Sequence, residues 1–187
     1  MWILASYLIM TAGLKHTEGQ MVPFAKNLKS LLEKSNKHVD IMSIEDEGNM
    51  DDYSHIIFVF PISVAPIPSP LMHFLKKTTL THHQYIYTMA FSPLFEPDST
   101  EAANKVIASW AKKQNLRYQG TLRIGSLDLI QELSLRLRVI AHIKRFANAI
   151  MKNEPFEEDV TVNNIHHFIR RTHLLFAYYI HKSQRSK

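Results

Sequence analysis

The sequence predicts an α/β fold: a doubly wound sheet of five parallel strands in the order 2-1-3-4-5, followed by an extra C-terminal helix. Three observations carry it. Short runs rich in β-branched, aromatic or aliphatic residues recur at about 2–10, 38–44, 53–60, 84–90 and 116–125. Helical periodicity separates most of them, so right-handed crossovers and a parallel sheet follow. The third run, Ile56-Ile57-Phe58-Val59-Phe60, is continuous rather than alternating, which a strand covered on both faces requires.

Each element has its own local reason. The opening run, Trp2 to Met10, has no basic segment before it and no small-residue cleavage site after it, so it reads as a buried strand rather than a secretion signal. Phe24, Leu28, Leu31 and Leu32 share a helix face opposite Lys26, Lys29, Glu33 and Lys34, giving a first crossover helix. Ala102, Val106, Ile107 and Trp110 repeat the pattern behind Asp98-Ser99-Thr100-Glu101, whose side chains are suited to capping the first free amides. A long apolar helix spans Leu129 to Met151, a polar link spans Asn153 to Asp159, and a last helix runs from about Asn163 to His181. The division expected is residues 1–152 as one domain, with 153–187 a linker and helix packed on that domain or on a partner subunit.

At 187 residues, with 45% hydrophobic and 21% charged residues, the chain has the size and composition of one ordered domain. The absence of cysteine removes disulfides, thiolate nucleophiles and cysteine-ligated metals, and suits a reducing cytoplasm. No apolar run approaches the roughly 20 residues of a membrane-spanning helix, so no integral membrane association is expected. The net charge of +5 is concentrated in a tail bearing Arg170, Arg171, Lys182, Arg185 and Lys187. That tail has no interleaved aromatic platform or nucleic-acid motif, so no nucleic-acid partner is expected.

Ligands of open parallel sheets bind beyond the carboxyl ends of the strands, which singles out three loops. In the first, Thr11, Gly13, Lys15, His16 and Thr17 gather hydroxyls, a glycine and cations at a helix N-terminus, where unpaired amides and the dipole favour an anion. Thr17-Glu18-Gly19-Gln20 also fits a capping box, in which Thr17 serves only its own helix, and Pro23 allows that helix to begin nearer Met21. The second loop, Pro61, Ile62, Ser63, Val64 and onward to Leu71, carries four prolines and forms a stiff wall suited to a flat ligand. The third offers Phe91 or Phe95 as an aromatic platform or as core, and Ser92 as a hydrogen-bonding group.

The stretch Asp52-Tyr53-Ser54-His55-Ile56-Ile57-Phe58-Val59-Phe60-Pro61-Ile62-Ser63, followed by Ile67-Pro68-Ser69-Pro70-Leu71-Met72-His73-Phe74-Leu75, resembles the flavodoxin-like NAD(P)H-dependent oxidoreductases, the FMN reductase family. The resemblance extends more loosely from about Ile3 to about Met151 and leaves out the final helix. It implies FMN as cofactor, with its phosphate in the first loop and its ring against the second and third. It further implies NAD(P)H and a small acceptor such as a quinone as partners, and a homodimer. Ser63 stands where the family often has an aromatic residue, and Ala65-Pro66 replaces a frequent glycine pair. These departures leave a second reading open, a non-enzymatic flavodoxin-like electron carrier or interaction module.

No other chemistry competes. Ser63 and Ser92 lack a nucleophile-elbow context, and Glu45, Asp46 and Glu47 read as a solvated turn. The pairs His82-His83 and His166-His167, with His173, have no carboxylates at ligand spacing, so no metal is expected. No catalytic side chain is assigned.

Overall fold

The computed structural model describes residues 6–13, 15–46, 48–62, 67–80, 83–94, 96–127, 130 and 133–161; of residues 15–18 and 133–135 only the backbone is described. In chain order the elements are β1 (Ser6–Thr11), α1 (Lys15–Glu33), β2 (His38–Ser43), β3 (His55–Pro61), α2 (Ser69–Lys77), β4 (Tyr85–Phe91), α3 (Glu101–Lys113), β5 (Arg117–Ile124), α4 (Leu133–Lys152) and β6 (Phe156–Val160). Short 3₁₀ turns at Met50–Asp52 and Pro97–Thr100 precede β3 and α3.

All neighbouring strands pair in parallel, in the order β2-β1-β3-β4-β5-β6. The five expected strands therefore stand in the expected order, and a sixth joins them. Residues 153–159, expected to be a polar link, instead turn the chain out of α4 and form most of β6. Phe156, Glu158 and Val160 turn toward the α4 side, where Phe156 packs beside Phe146 and Val160 is buried. Glu157 and Asp159 flank Arg123 of β5, at 3.0 and 2.5 Å. Pairing these carboxylates lets an acidic segment serve as an edge strand, and the charge keeps further strands from adding to it.

β3 is buried along its whole length, as its unbroken apolar run demanded. On one face Tyr7, Ile9, Ile57, Val59 and Met89 pack under Phe24 and Leu28 of α1 and Ile143 and Phe146 of α4. On the other, Leu8, Met10, Ile56, Phe58 and Ile86 pack under Leu71 and Phe74 of α2 and Ile107 and Trp110 of α3.

Helix ends depart from the sequence reading in informative ways. Thr17 lies inside α1, which begins at Lys15, so it is not the N-cap of a capping box, and Pro23 is accommodated within the helix. The cluster at 98–101 forms a 3₁₀ turn rather than a side-chain cap: Thr100 Oγ1 donates to the Pro97 carbonyl at 2.9 Å. Asn36, Asn115 and Asn153 take the left-handed conformation (φ 56°, 57° and 57°) after α1, α3 and α4. Asparagine thus supplies the turn that glycine more often makes, and paired bonds such as Asn115 N–H to Lys112 O and Leu116 N–H to Ala111 O close a Schellman motif. The expected helix at 163–181 lies outside the described residues.

Candidate functional site at the carboxyl edge

The strand order reverses direction at β1, whose neighbours are β2 and β3. Chain leaving β1 enters α1 on one face, and chain leaving β3 enters α2 on the other. The crevice between those two departures is where an open α/β sheet binds its ligand.

The first loop is short and held on both sides. Thr11 is buried; its carbonyl accepts the Ile44 N–H at 2.8 Å and its hydroxyl donates to the Met42 carbonyl at 3.4 Å. The Ala12 N–H donates to Val59 O at 2.9 Å, so the turn is tied to β2 and β3 alike. Half-buried Gly13 follows, and α1 begins two residues later. The first-turn amides therefore belong to Lys15, His16 and Thr17, and such amides lack acceptors within their own helix.

Pro61 closes β3, and the Ile62 N–H donates to the Phe91 carbonyl at 2.8 Å, holding the second loop against β4 as it leaves the sheet. Ser63 and Val64 lie outside the described residues. The chain resumes at buried Ile67 and enters α2 through Pro68 and Ser69, with Pro70 inside the first turn, as the proline spacing suggested.

The third loop takes the core alternative. Phe91 is fully buried, its ring 5.4 Å from that of Phe24 under α1. Ser92 is also fully buried and works as a tie: its hydroxyl lies 2.6 Å from Ser99 Oγ and accepts the Leu94 N–H at 3.0 Å, while its own N–H donates to Ile124 O at 2.7 Å. Among the described residues of this loop Pro93, Leu94 and Glu96 are exposed, Leu94 at 57%; Phe95 lies outside the described residues. The Leu94 carbonyl accepts the N–H of Ser126, whose φ is 59°, so the turns after β4 and β5 are joined. Sequence reasoning missed Leu94 and Ser126. An apolar residue after Pro93 in a turn was the one available signal for Leu94; nothing local marked Ser126.

Displaced titrations sit elsewhere in the fold. Burial pushes His55, at the amino end of β3, below its ordinary 6.5 and Tyr87 upward. Burial and the hydrogen bond to Asp40 raise Tyr53 to about 12. Among the described residues no three His, Asp or Glu side chains converge as a metal site, and no helix is long and apolar enough to cross a membrane.

This architecture is the flavodoxin-like fold. No family model matches the sequence, and no curated protein matches it. Solved structures do match in shape. A flavodoxin from Streptococcus pneumoniae TIGR4 superposes with TM-score 0.62 at 13% identity, covering 80% of this chain and 99% of that one. An NADPH-quinone reductase from P. pentosaceus gives 0.56 at 15%, covering 76% and 97%. A flavodoxin mutant from Fusobacterium nucleatum, bound to flavin mononucleotide, gives 0.58 at 12%, covering 81% and 98%.

Proposed function

We propose that the protein is a cytoplasmic, FMN-dependent NAD(P)H oxidoreductase that reduces small acceptors such as quinones. The observation that carries this reading is the start of α1, two residues beyond Gly13 and directly after β1, the strand at which the order reverses. The donor set of its first turn fits a phosphate monoester. Amides at a helix start bind an anion without a dedicated side chain, and Lys15, His16 and Thr17 occupy those positions.

Thr11 and Gly13 shape the approach, and Ile62, Ser63 and Val64 beyond Pro61 are the residues we assign to the ring's flat face. Phe91 and Ser92 support the third wall from inside, and Leu94 supplies its outward apolar surface. Bound flavin mononucleotide supplies the hydride chemistry. The chain's own part is to hold the phosphate, orient the ring and leave one ring face open to the nicotinamide and then to the acceptor. The match in shape to an NADPH-quinone reductase supports this reading.

Exposed Leu94 at the rim favours one alternative, an electron-carrying module whose protein partner covers that apolar residue. The purified protein decides between them. Flavin absorbance together with NAD(P)H oxidation dependent on a quinone is the result expected of the enzyme. Flavin binding without NAD(P)H oxidation would favour the carrier, and a colourless protein with no affinity for FMN would remove both.

A further inference from the structure

Four of the five crossovers in this sheet carry an α-helix, namely α1, α2, α3 and α4. Among its described residues, the crossover from β2 to β3 carries only the 3₁₀ turn at Met50–Asp52. The layer over the sheet is correspondingly incomplete beside α2. There a groove of about 800 Å³ runs from Ser69 at the start of the helix to Thr78 at its end. Ile44, Met50 and Phe74 give it an apolar lining, His73 and Lys77 stand on the α2 side, and Glu45 on the other.

The charges say what fits. The β2–β3 connection carries Glu45, Asp46, Asp51 and Asp52. Residues 162–187 hold five of the chain's 22 lysines and arginines and no carboxylate, leaving 17 cations and 17 carboxylates to balance in the rest of the molecule. The same segment contains the apolar run Leu174-Leu175-Phe176-Ala177-Tyr178-Tyr179-Ile180. It is thus apolar and basic, and the groove is apolar with an acidic bank.

The reach is sufficient within one molecule. The described chain leaves the sheet at the carboxyl end of β6, four strand positions from β1, or about 19 Å. The twelve residues before Leu174 span up to about 40 Å extended, enough for that distance, whereas as helix their roughly 18 Å would fall short of it, so the link to the groove is extended chain.

We propose that the C-terminal segment of the same chain docks in this groove, seating the Leu174–Ile180 run against Ile44, Met50 and Phe74 in the place of the missing crossover helix. Its cations lie toward the β2–β3 connection, away from His73 and Lys77.

The cysteine-free sequence permits a direct test in the whole 187-residue chain. His73→Cys combined with Phe176→Cys places one thiol on the exposed groove wall and one in the apolar run; Lys26→Cys with Phe176→Cys is the control, Lys26 being exposed on α1 across the sheet. Under mild oxidation at low protein concentration, the first pair is expected to give a monomeric disulfide-linked product in about tenfold or greater excess over the control. Glu45→Lys in the same background should reduce that yield about threefold at low salt. Equal yields from both pairs, linkage only between chains, or sequestration of the segment by anionic phospholipid vesicles with no linkage formed would overturn the proposal.

Discussion

His55 Nε2 lies 2.6 Å from Asn153 Oδ1, joining the first residue of the central strand to the residue that follows α4, 98 positions later. The imidazole is 3% exposed, stacked on Tyr7 at 4.4 Å and Tyr85 at 5.0 Å, with Nδ1 2.8 Å from Ser54 Oγ. Beside it, Tyr87 donates to the Glu154 carbonyl at 3.1 Å. Two side chains of the inner strands thus fix the point where the chain turns from α4 into β6.

This contact makes stability pH-dependent in a defined window. Burial lowers the folded-state pKa of His55, against the Asn153 hydrogen bond and with help from Lys37. A base with a depressed folded pKa contributes stability that is complete above the unfolded value of 6.5 and is lost as pH falls below it. Urea midpoints should therefore fall between pH 7.5 and 5.5. His55→Phe, which keeps the stacking, should flatten that fall while costing about 1–2 kcal/mol at pH 7.5. Glu158 titrates lower: burial raises its carboxyl, but hydrogen bonds from Arg145 and His142 bring it below 4.5, so its contribution is lost only in more acid solution.

The three left-handed asparagines separate conformation from contact. Asn36→Gly and Asn115→Gly relieve a left-handed backbone and should be neutral or stabilising by up to about 1 kcal/mol. Asn153→Gly gains the same relief but leaves His55 Nε2 without its partner, and should destabilise by about 1 kcal/mol net. Denaturant unfolding of the three variants reads this directly; similar behaviour at all three positions would remove the role assigned to the His55 contact.

Gly120 controls the attachment of β6. Its φ is 124°, and a Cβ there would stand 1.9 Å from the Phe156 carbonyl oxygen. Gly120→Ala should cost about 3 kcal/mol or more, since both the backbone and the neighbouring strand must shift. Hydrogen exchange should accelerate first at residues 156–160.

Flavin binding tests the first loop. Lys15→Ala and Thr17→Ala should each weaken FMN affinity, by about tenfold for the charge and less for the hydroxyl, with unfolding midpoints little changed. Isothermal titration with FMN and with riboflavin separates phosphate from ring. A loss confined to FMN locates the phosphate at α1; equal loss for both would place it elsewhere.

The legibility of this chain in sequence follows a physical division. The run from Ile56 to Phe60 announced a strand covered on both faces because burial on both sides is written residue by residue. The helices could be read for the same reason, as each carries its own apolar stripe. β6 could not be read locally: its three carboxylates look like a solvated link until Arg123, His142 and Arg145, distant in sequence, are brought beside them. Phe91 shows the same limit at the site. Its type suited a ligand platform, but Tyr87, Met89 and Phe91 alternate onto one face of β4, and that face is roofed by α1 and α4.

The sequence by itself determined the alternation of strands and helices, the buried centre of the sheet and the proline-led entry into α2, because periodicity and φ restriction are properties of neighbouring residues. Only the tertiary structure decided that a sixth strand closes the sheet, that Ser92 ties loops together and that Leu94 faces outward. Those outcomes depend on charges and hydrogen bonds whose partners meet only after the crossovers have folded.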